Sequence, residues 1–403
     1  MKLAHLADAH LGIRQYQRLN SAGVNQREAD VAQAFRYAID GVIAARADAV
    51  VLAGDLFHSV RPPNSAIVFA FRQLQRLHEA LPDAPIILIA GNHDTPRSAD
   101  TGSILRLFEE LGVDVATDEA RRLVYPALDL AVLAVPHQAV VATERTSLRP
   151  AGGEGNQVLV LHGEVEGIYP GDRSATDYGG ALIDAQALKA GGWSYVALGD
   201  FHVQYQVKQE KREKKAPPIW YAGALEYVSP NFWGDLRLER ELGLEGKGWL
   251  LVELESGKVT SVKRQVVPRA RDIVDLDPLY ADGLDAPAVS AEIAARVARI
   301  PGGIAEKIVR LVVHNVPRHV ARELDHAAIR ALKTAALHFR LDLRRPEIHR
   351  AVGVGSPGHR QTLPEMVRYY LEHRPLPADL DRERFVRLGG ELMDAVERDL
   401  TGA

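Results

Sequence analysis

The chain has 403 residues, 46% hydrophobic and 25% charged, the mix of a folded globular protein with room for two or three domains. It contains no cysteine, which excludes disulfides, thiolate metal sites and cysteine nucleophiles, and no apolar run approaches the roughly 18 residues that a membrane span needs. The formal charge of −4 offers nucleic acid no bulk attraction, so any basic surface must be local.

The N-terminal run from Met1 to Asp8 carries an acid and no small-residue cleavage site, so no signal peptide is expected and a reducing cytoplasm is the expected location. Lys2 to Ala7 reads as a first strand that ends in Asp8-Ala9-His10-Leu11-Gly12. Asp8 and His10 alternate with Ala9, so on an extended backbone both point to one side. The loop that follows carries Arg14, Gln15, Tyr16, Gln17 and Arg18, and on composition alone it reads as solvated surface. Asn25 is placed to cap a helix over Gln26 to Arg46, whose apolar residues Val31, Phe35, Ala38, Ile39, Val42 and Ile43 keep helical spacing.

Two further short apolar runs repeat the pattern. Asp48 to Ala53 ends in Gly54-Asp55-Leu56-Phe57-His58, and Pro85 to Ala90 ends in Gly91-Asn92-His93-Asp94, with a helix over Ser65 to Leu81 between them. Strand, helix, strand, helix, strand is the order of parallel βαβ units. A helix is expected over Thr101 to Leu111, then strands at Leu123 to Tyr125 and Leu130 to Val135. Gln157 to Leu161 leads into His162-Gly163-Glu164, and Tyr195 to Leu198 into Gly199-Asp200-Phe201-His202. The basic run Val207 to Lys215 reads as a solvated hairpin loop, and strands continue at Ile219 to Ala222, Gly248 to Leu254 and Val259 to Val267.

Past Pro268 the composition shifts. Helices are expected over Ser290 to Ile300 and Asp325 to Leu337, and strands over Lys307 to Val313 and Phe339 to Arg344, with no ligand-type cluster; His314, His319 and His326 read as surface or packing residues. Gly353 to Gly358 has the composition of a linker. Thr362-Leu363-Pro364-Glu365 has the form of a capping box ahead of a helix with Val367, Tyr370 and Leu371 on one face, and Asp381 to Leu400 carries a second stripe through Phe385, Leu388, Leu392 and Val396. The division expected is 1–268, 269–350 and 351–403.

Five polar clusters thus follow apolar runs, and a sheet would bring them to one edge. Their donors are oxygen and nitrogen without sulfur, which suits Mn²⁺, Fe²⁺ or Zn²⁺ better than Ca²⁺ or Mg²⁺. They are too many for one ion and enough for two ions about 3.5–4 Å apart, an arrangement that binds a phosphate ester and supplies its attacking hydroxide.

The order D-x-H, GD, GNH[DE], H, G-x-x-H resembles the calcineurin-like metallophosphoesterases. Within that superfamily, Asp8 to Gly12 followed by Arg14-Gln15-Tyr16, Gly54 to His58, and Tyr221-Ala222-Gly223-Ala224-Leu225-Glu226 look like the SbcD-type nuclease subunits of DNA double-strand-break repair. The resemblance implies an α/β fold: a two-sheet sandwich flanked by helices (1–268), a small α/β capping domain (269–350), and a linker with a C-terminal helical hairpin (351–403). It implies a metal-dependent DNA exonuclease and endonuclease working at DNA ends with an SbcC-like ABC-type ATPase whose coiled coil the hairpin would grip. A homodimer, two divalent ions with Mn²⁺ foremost, and no membrane association go with it.

By motif, Asp8, His10, Asp55 and His202 would hold one ion and Asp55, Asn92, His162 and Asp200 the other, with Asp55 between them. His93 would stabilise the transition state or protonate the leaving oxygen, His58 would touch the phosphate, and Asp94 would orient its loop from behind. Arg14, Gln15 and Tyr16 would be DNA contacts. Where the family writes G-H-x-H, this chain writes Gly199-Asp200-Phe201-His202, which replaces an imidazole with a carboxylate. Other readings are a stand-alone phosphodiesterase or phosphatase on small nucleotides, which the acidic net charge favours, and a DNA-end-binding scaffold with weak catalysis.

Overall fold

The first three apolar runs form β1 (Lys2–Leu6), β2 (Ala49–Ala53) and β3 (Ile86–Ile89), parallel and in register from Leu3 opposite Ala49 to Ala53 opposite Ile89. The computed structural model that shows this describes residues 1–96, 102–142, 146–150, 152, 155–167, 181–189, 192–208, 216–346, 363–374, 376 and 380–401. The crossovers are α1 (Gln26–Ala45) and α2 (Asn64–Ala80), and β4 (Asp114–Ala116) extends the sheet beyond β3. Asn25 caps α1 as its sequence suggests, accepting from the backbone N–H groups of Arg27 and Glu28. The stretch expected as a helix over Thr101 to Leu111 winds more tightly, as a 3₁₀ helix over Ile104–Leu111 capped by Ser103; Thr101 lies outside the described residues.

A second sheet follows in the chain. It contains β5 (Arg121–Tyr125), β6 (Leu130–Val135) and β7 (Asn156–His162), flanked by α3 (His137–Val141). A two-stranded piece of β8 (Glu164–Val165) and β9 (Leu182–Ile183) leads to α4 (Ala185–Lys189). The second sheet is completed by β10 (Tyr195–Gly199), β11 (Tyr205–Gln206) and β12 (Ile219–Tyr221), in the order β11-β12-β10-β7-β6-β5. After α5 (Trp233–Glu241) the chain returns to the first sheet, where β13 (Gly248–Glu255) runs antiparallel beside β1 and β14 (Lys258–Val266) closes the edge.

Burial explains why the strands read as unbroken apolar runs. One face of β1 to β3 (Ala4, Leu6, Val50, Leu52, Leu88) packs under α1 and α2 against Phe35, Val42 and Leu74. The opposite face (Leu3, Ala49, Val51, Ile87, Ile89) meets Val158, Val160, Tyr195 and Ala197 of the second sheet. Both faces are dry, so the alternation of a half-exposed strand is absent. The polar strand ends therefore come from two stacked sheets. The one-sheet edge suggested by periodicity alone is corrected; the two-sheet sandwich that the family resemblance implied is what the chain forms.

A smaller sheet lies downstream, with β17 (Ile308–His314) at its centre. On one side it pairs with β15 (Ile273–Asp275) and β16 (Leu279–Tyr280), on the other with β18 (His338–Leu343). It carries α6 (Ala286–Ala298), α7 (Arg318–Glu323) and α8 (His326–Ala335). Sandwich and small sheet belong to one compact unit, Met1–Arg344. They join through Ile273, Ile308 and Leu337 against Tyr227, Phe232 and Trp233, and through Arg271, whose Nε donates to both oxygens of buried Asp30 at 3.0 and 2.9 Å.

The second unit, Arg345–Ala403, contains α9 (Leu363–His373) and α10 (Arg382–Thr401). Arg382 turns back to donate to the last carbonyls of α9 at Leu371 and Glu372 and to that of Arg374 just past its end. Tyr369, Tyr370, Leu388 and Leu392 stay exposed. The linker Gly353 to Gly358, Thr362 of the capping box, and Lys211, Arg212, Lys214 and Lys215 of the basic run lie outside the described residues. Among the described residues no helix is long and apolar enough to cross a membrane.

One titratable group is locked in the dry layer between the sheets. His5 on β1 meets Tyr195 OH through Nδ1 at 3.0 Å, and burial holds its pKa down to about 3. It is neutral when folded, whereas the unfolded chain protonates it below 6.5. The unfolded state thus binds more protons between about 6.5 and 3, and stability falls as pH drops through that window. Between pH 7 and pH 5 the protein is expected to lose about 2 kcal/mol more stability than His5→Gln, measured by urea unfolding at both pH values.

Candidate metal centre

The turns after the strands continue to pair as the strands do. Asp8 N–H donates to Gly54 O at 3.1 Å, His10 N–H to Asp55 O at 3.0 Å and His58 N–H to Leu11 O at 3.0 Å. In the second sheet the register sets His162 opposite Gly199, so the Asp200 turn lies beside it. Asp200 N–H then crosses to the Asp8 carboxylate at 3.0 and 3.2 Å, tying the two sheets together at the site.

The backbone is strained where the donors sit. Asp8, His10, Asp55 and Asp200 have φ of 51°, 46°, 51° and 101°, a region that non-glycine residues occupy only when their surroundings hold them there. Gly54 and Gly91 are required by close approach: a Cβ on Gly54 would strike the His162 ring, and one on Gly91 the Asp55 carboxylate.

All nine residues expected as ligands or catalysts are brought together, in two overlapping groups. Around His10, Nε2 lies 3.2 Å from His202 Nε2 and 3.7 Å from Asp55 Oδ2, and Asp8 offers an oxygen to the same cluster. Around His162, Nε2 lies 2.9 Å from Asn92 Oδ1, 3.3 Å from Asp55 Oδ2 and 3.6 Å from Asp200 Oδ1. Two acids are common to both: Asp55, whose Oδ2 faces His10 and His162, and Asp8, which groups with His10 and His202 and with Asp55 and His162. Asp55 Oδ2 is buried and accepts no hydrogen bond of acceptable geometry, while its partner Oδ1 accepts from His93 N–H at 2.9 Å. Asp8, His10, Asp55, His162, Asp200 and His202 are buried, whereas Asn92, His93 and His58 are half-buried and mark the open side.

The charges are crowded. Burial pushes the Asp8 carboxyl well above the usual range. Burial alone would raise Asp55 too, but neighbouring His162 holds it well below that range, and His162 is raised in turn by the acids around it. Three buried carboxylates facing imidazole nitrogens form a donor set suited to divalent cations, whose charge removes the repulsion. An orphaned buried oxygen shared by two clusters fits a bridging position. The ring nitrogens are aimed by their other partners: His162 Nδ1 donates to Ala53 O at 2.8 Å and His93 Nδ1 to His58 O at 2.7 Å, leaving each Nε2 as the working atom. Asp94 lies behind, accepting from the N–H groups of Leu56 (3.0 Å), Phe57 (3.0 Å) and Gly91 (3.3 Å). Burial and then the charge of Asp55 push its pKa up to about 7.

The three residues expected at DNA stand apart from this cluster. Arg14 is exposed and donates to Glu28 at 2.8 Å. Gln15 is half-buried. The Tyr16 ring stacks on His338 of the small sheet, centroids 3.9 Å apart, and packs against the Tyr227–Phe232–Trp233 cluster, so its ring serves the join within the chain. Sequence reasoning missed His137, a buried residue just past β6 that feels the charges of His162 and Asp55; burial first, then His162, lowers its pKa to about 4. The strand-end signal that marked the other clusters is present there too, in Pro136-His137.

Residues 1–204 match the family model for calcineurin-like phosphoesterases, just over half of the 403 residues, and the chain belongs to that family of metallophosphoesterase hydrolases. Its relatives are narrower in kind. The protein from Sulfurisphaera tokodaii named DNA double-strand break repair protein Mre11 is 32% identical over 209 residues, covering 50% of this chain and 49% of its own length. The protein of the same name from Methanococcus maripaludis is 40% identical over 111 residues, 28% of each chain. That from Methanosarcina mazei is 24% identical over 362 residues, 82% of this chain and 55% of its own. The chain spans about half the length of the curated relatives it matches first.

Asp94→Ala removes the acceptor from three backbone N–H groups of the metal loops, and at least one then stays buried without a partner. Unfolding in denaturant is expected to show a loss of about 2–4 kcal/mol. A change under about 0.5 kcal/mol would mean that the loops hold their shape without it.

Proposed function

We propose that this chain is a metal-dependent DNA nuclease subunit that hydrolyses phosphodiester bonds at DNA ends in double-strand-break repair. The observation that carries the chemistry is the position of Asp55 Oδ2 between His10 and His162, at the meeting of two donor clusters with histidines on their open side. Asp8, His10, Asp55 and His202 would hold one divalent ion, and Asp55, Asn92, His162 and Asp200 the other, with Mn²⁺ the expected metal. Bound there, two cations supply positive charge to the phosphate oxygens and acidify the attacking water.

The chain's own groups do the rest. His93, with Nδ1 fixed on the His58 carbonyl, presents Nε2 to stabilise the transition state or protonate the leaving oxygen. His58 contacts the phosphate. Its Nδ1 lies 3.3 Å from His10 Nδ1, which keeps it against the cluster. Asp200 brings a carboxylate where relatives in the family use an imidazole, which makes the centre one unit more negative and strengthens its hold on cations.

DNA as substrate is supported by the names of the relatives and by a local basic groove on an acidic chain. The groove, of about 650 Å³, is lined by Tyr16, Arg18, Lys333, His338, Phe339 and Arg340, and its three cationic side chains are exposed. Exposed cations along a groove suit a phosphate backbone. Arg14 on the neighbouring turn would add a fourth. The same reading assigns 269–350 as a capping domain and 351–403 as the docking segment for an SbcC-like ABC-type ATPase, and expects a homodimer; exposed Tyr370, Leu388 and Leu392 support the docking role. The acidic net charge favours the second reading, a phosphodiesterase on small nucleotides.

The test is cleavage of linear duplex DNA, single-stranded DNA and bis-p-nitrophenyl phosphate with Mn²⁺ or Mg²⁺, by the wild type and by a triple Arg18, Lys333, Arg340→Ala variant. Wild type is expected to cut DNA. The variant is expected to keep hydrolysis of the small ester and bind DNA more weakly, with the salt-dependence slope reduced by about 3. Cleavage of the small ester alone by the wild type would establish the second reading.

A further inference from the structure

We propose that Ser229, Asp235 and Lys247 form a buried relay that fixes the His202 ring in the tautomer a metal ion requires; this rests on the reading of His202 as a ligand. His202 Nδ1 lies 2.7 Å from Ser229 Oγ, and that hydroxyl lies 3.1 and 3.3 Å from the two oxygens of Asp235. Asp235 Oδ2 accepts from Lys247 Nζ at 2.8 Å. Lys247 uses its remaining two hydrogens on Glu239 at 3.1 Å and on the backbone carbonyl of His202 at 2.6 Å. His202, Ser229, Asp235, Glu239 and Lys247 are all buried.

The direction of each hydrogen bond follows from what each group has to give. Lys247 can only donate, and the Asp235 carboxylate can only accept. The hydrogen between Asp235 and Ser229 must then be the hydroxyl's own. Ser229 is left with lone pairs to offer His202, so the imidazole carries its proton on Nδ1. Nε2 then carries no proton and keeps its lone pair, 3.2 Å from His10 Nε2 in the cluster with Asp8. A ligating histidine needs this state, because a protonated Nε2 has no lone pair for a cation.

The other cluster reaches the same end by a simpler route. His162 Nδ1 donates to the Ala53 carbonyl, an obligatory acceptor built into β2. His202 has a hydroxyl instead, which can donate or accept, and the acid and the lysine behind it remove the ambiguity. Lys247 also grips the His202 carbonyl, so one ammonium positions both ends of the residue. A buried ion pair adds little net stability over apolar packing of the same size, and its place beneath a ligand is explained by orientation.

The relay is positioning machinery, so the readout is metal binding to the full-length protein. Mn²⁺ titration followed by electron paramagnetic resonance separates an exchange-coupled pair of ions from a lone one. Ser229→Ala is expected to weaken the ion at the His202 side by about 10–100-fold, leaving the other ion bound and its signal mononuclear at limiting Mn²⁺. Ser229→Thr keeps the hydroxyl and is expected to restore the coupled pair. Asp235→Asn is the second variant: Lys247 keeps the amide oxygen at the Oδ2 position, an amide N–H donor then faces Ser229 Oγ from the Oδ1 position, 3.3 Å away, and the direction of the hydroxyl is no longer fixed, so the His202-side ion is expected to weaken with no change of shape. Should Ser229→Ala fail to fold, Asp235→Asn carries the test. His202→Ala is the control. If it loses one ion while Asp235→Asn and Ser229→Ala bind both with wild-type affinity, the relay is overturned and the metal centre stands. If His202→Ala itself keeps both ions, the ligand assignment falls and the relay with it.

Discussion

The structure depends on a repulsion. Asp8, Asp55 and Asp200 bury three carboxyl groups at the rim of a dry sandwich, and the imidazoles of His10, His162 and His202 face them. Burial drives the Asp8 carboxyl upward, while His162 holds Asp55 low against its own burial. Divalent cations relieve the repulsion, because the ion's charge is the largest in such a site and sets the state of everything around it. Asp55 Oδ2, buried and lacking a well-aligned hydrogen bond, is where the two clusters meet.

The fold exists to hold that crowding in place. Parallel strands of two stacked sheets end at one rim, and their turns keep pairing past the last strand residue. Left-handed backbone at Asp8, His10, Asp55 and Asp200 turns the side chains inward, and the absence of a Cβ at Gly54 and Gly91 gives His162 and Asp55 their space. From behind, Asp94 ties the Asp55 loop to the Asn92 loop, and the Lys247 ion pair supports the His202 loop. The buried cations and acids continue outward. Arg27 bridges Asp30 and Glu226, and Asp30 receives Arg271 at the root of the small sheet, so the join to that sheet is polar as well as apolar.

Much of the centre was legible in the sequence because its signals are local. Each donor sits within a few residues of an apolar run, and Gly-Asp or Gly-Asn-His-Asp after such a run is a chemical statement in itself. What was not legible depends on partners far along the chain. Tyr16 reads as a basic-loop aromatic until His338, 322 residues away, stacks on it. Ser229, Asp235 and Lys247 read as solvated side chains until the fold buries them beside His202. The two-sheet layering was not decidable from periodicity, since strands buried on both faces lose their alternation and do not say which neighbour lies on which side. His137, just past β6, follows the same strand-end pattern as the other clusters.

In the proposed centre Asp55 joins two metal positions into one. The most direct measurement of this is Mn²⁺ binding by titration and electron paramagnetic resonance on wild type and Asp55→Asn, which keeps the acceptor for His93 N–H and removes the charge. Two ions with an exchange-coupled spectrum are expected for the wild type. At most one weakly held, magnetically isolated ion is expected for the variant. Two ions bound by Asp55→Asn with wild-type affinity and an unchanged coupled spectrum would rule out Asp55 as the joining ligand.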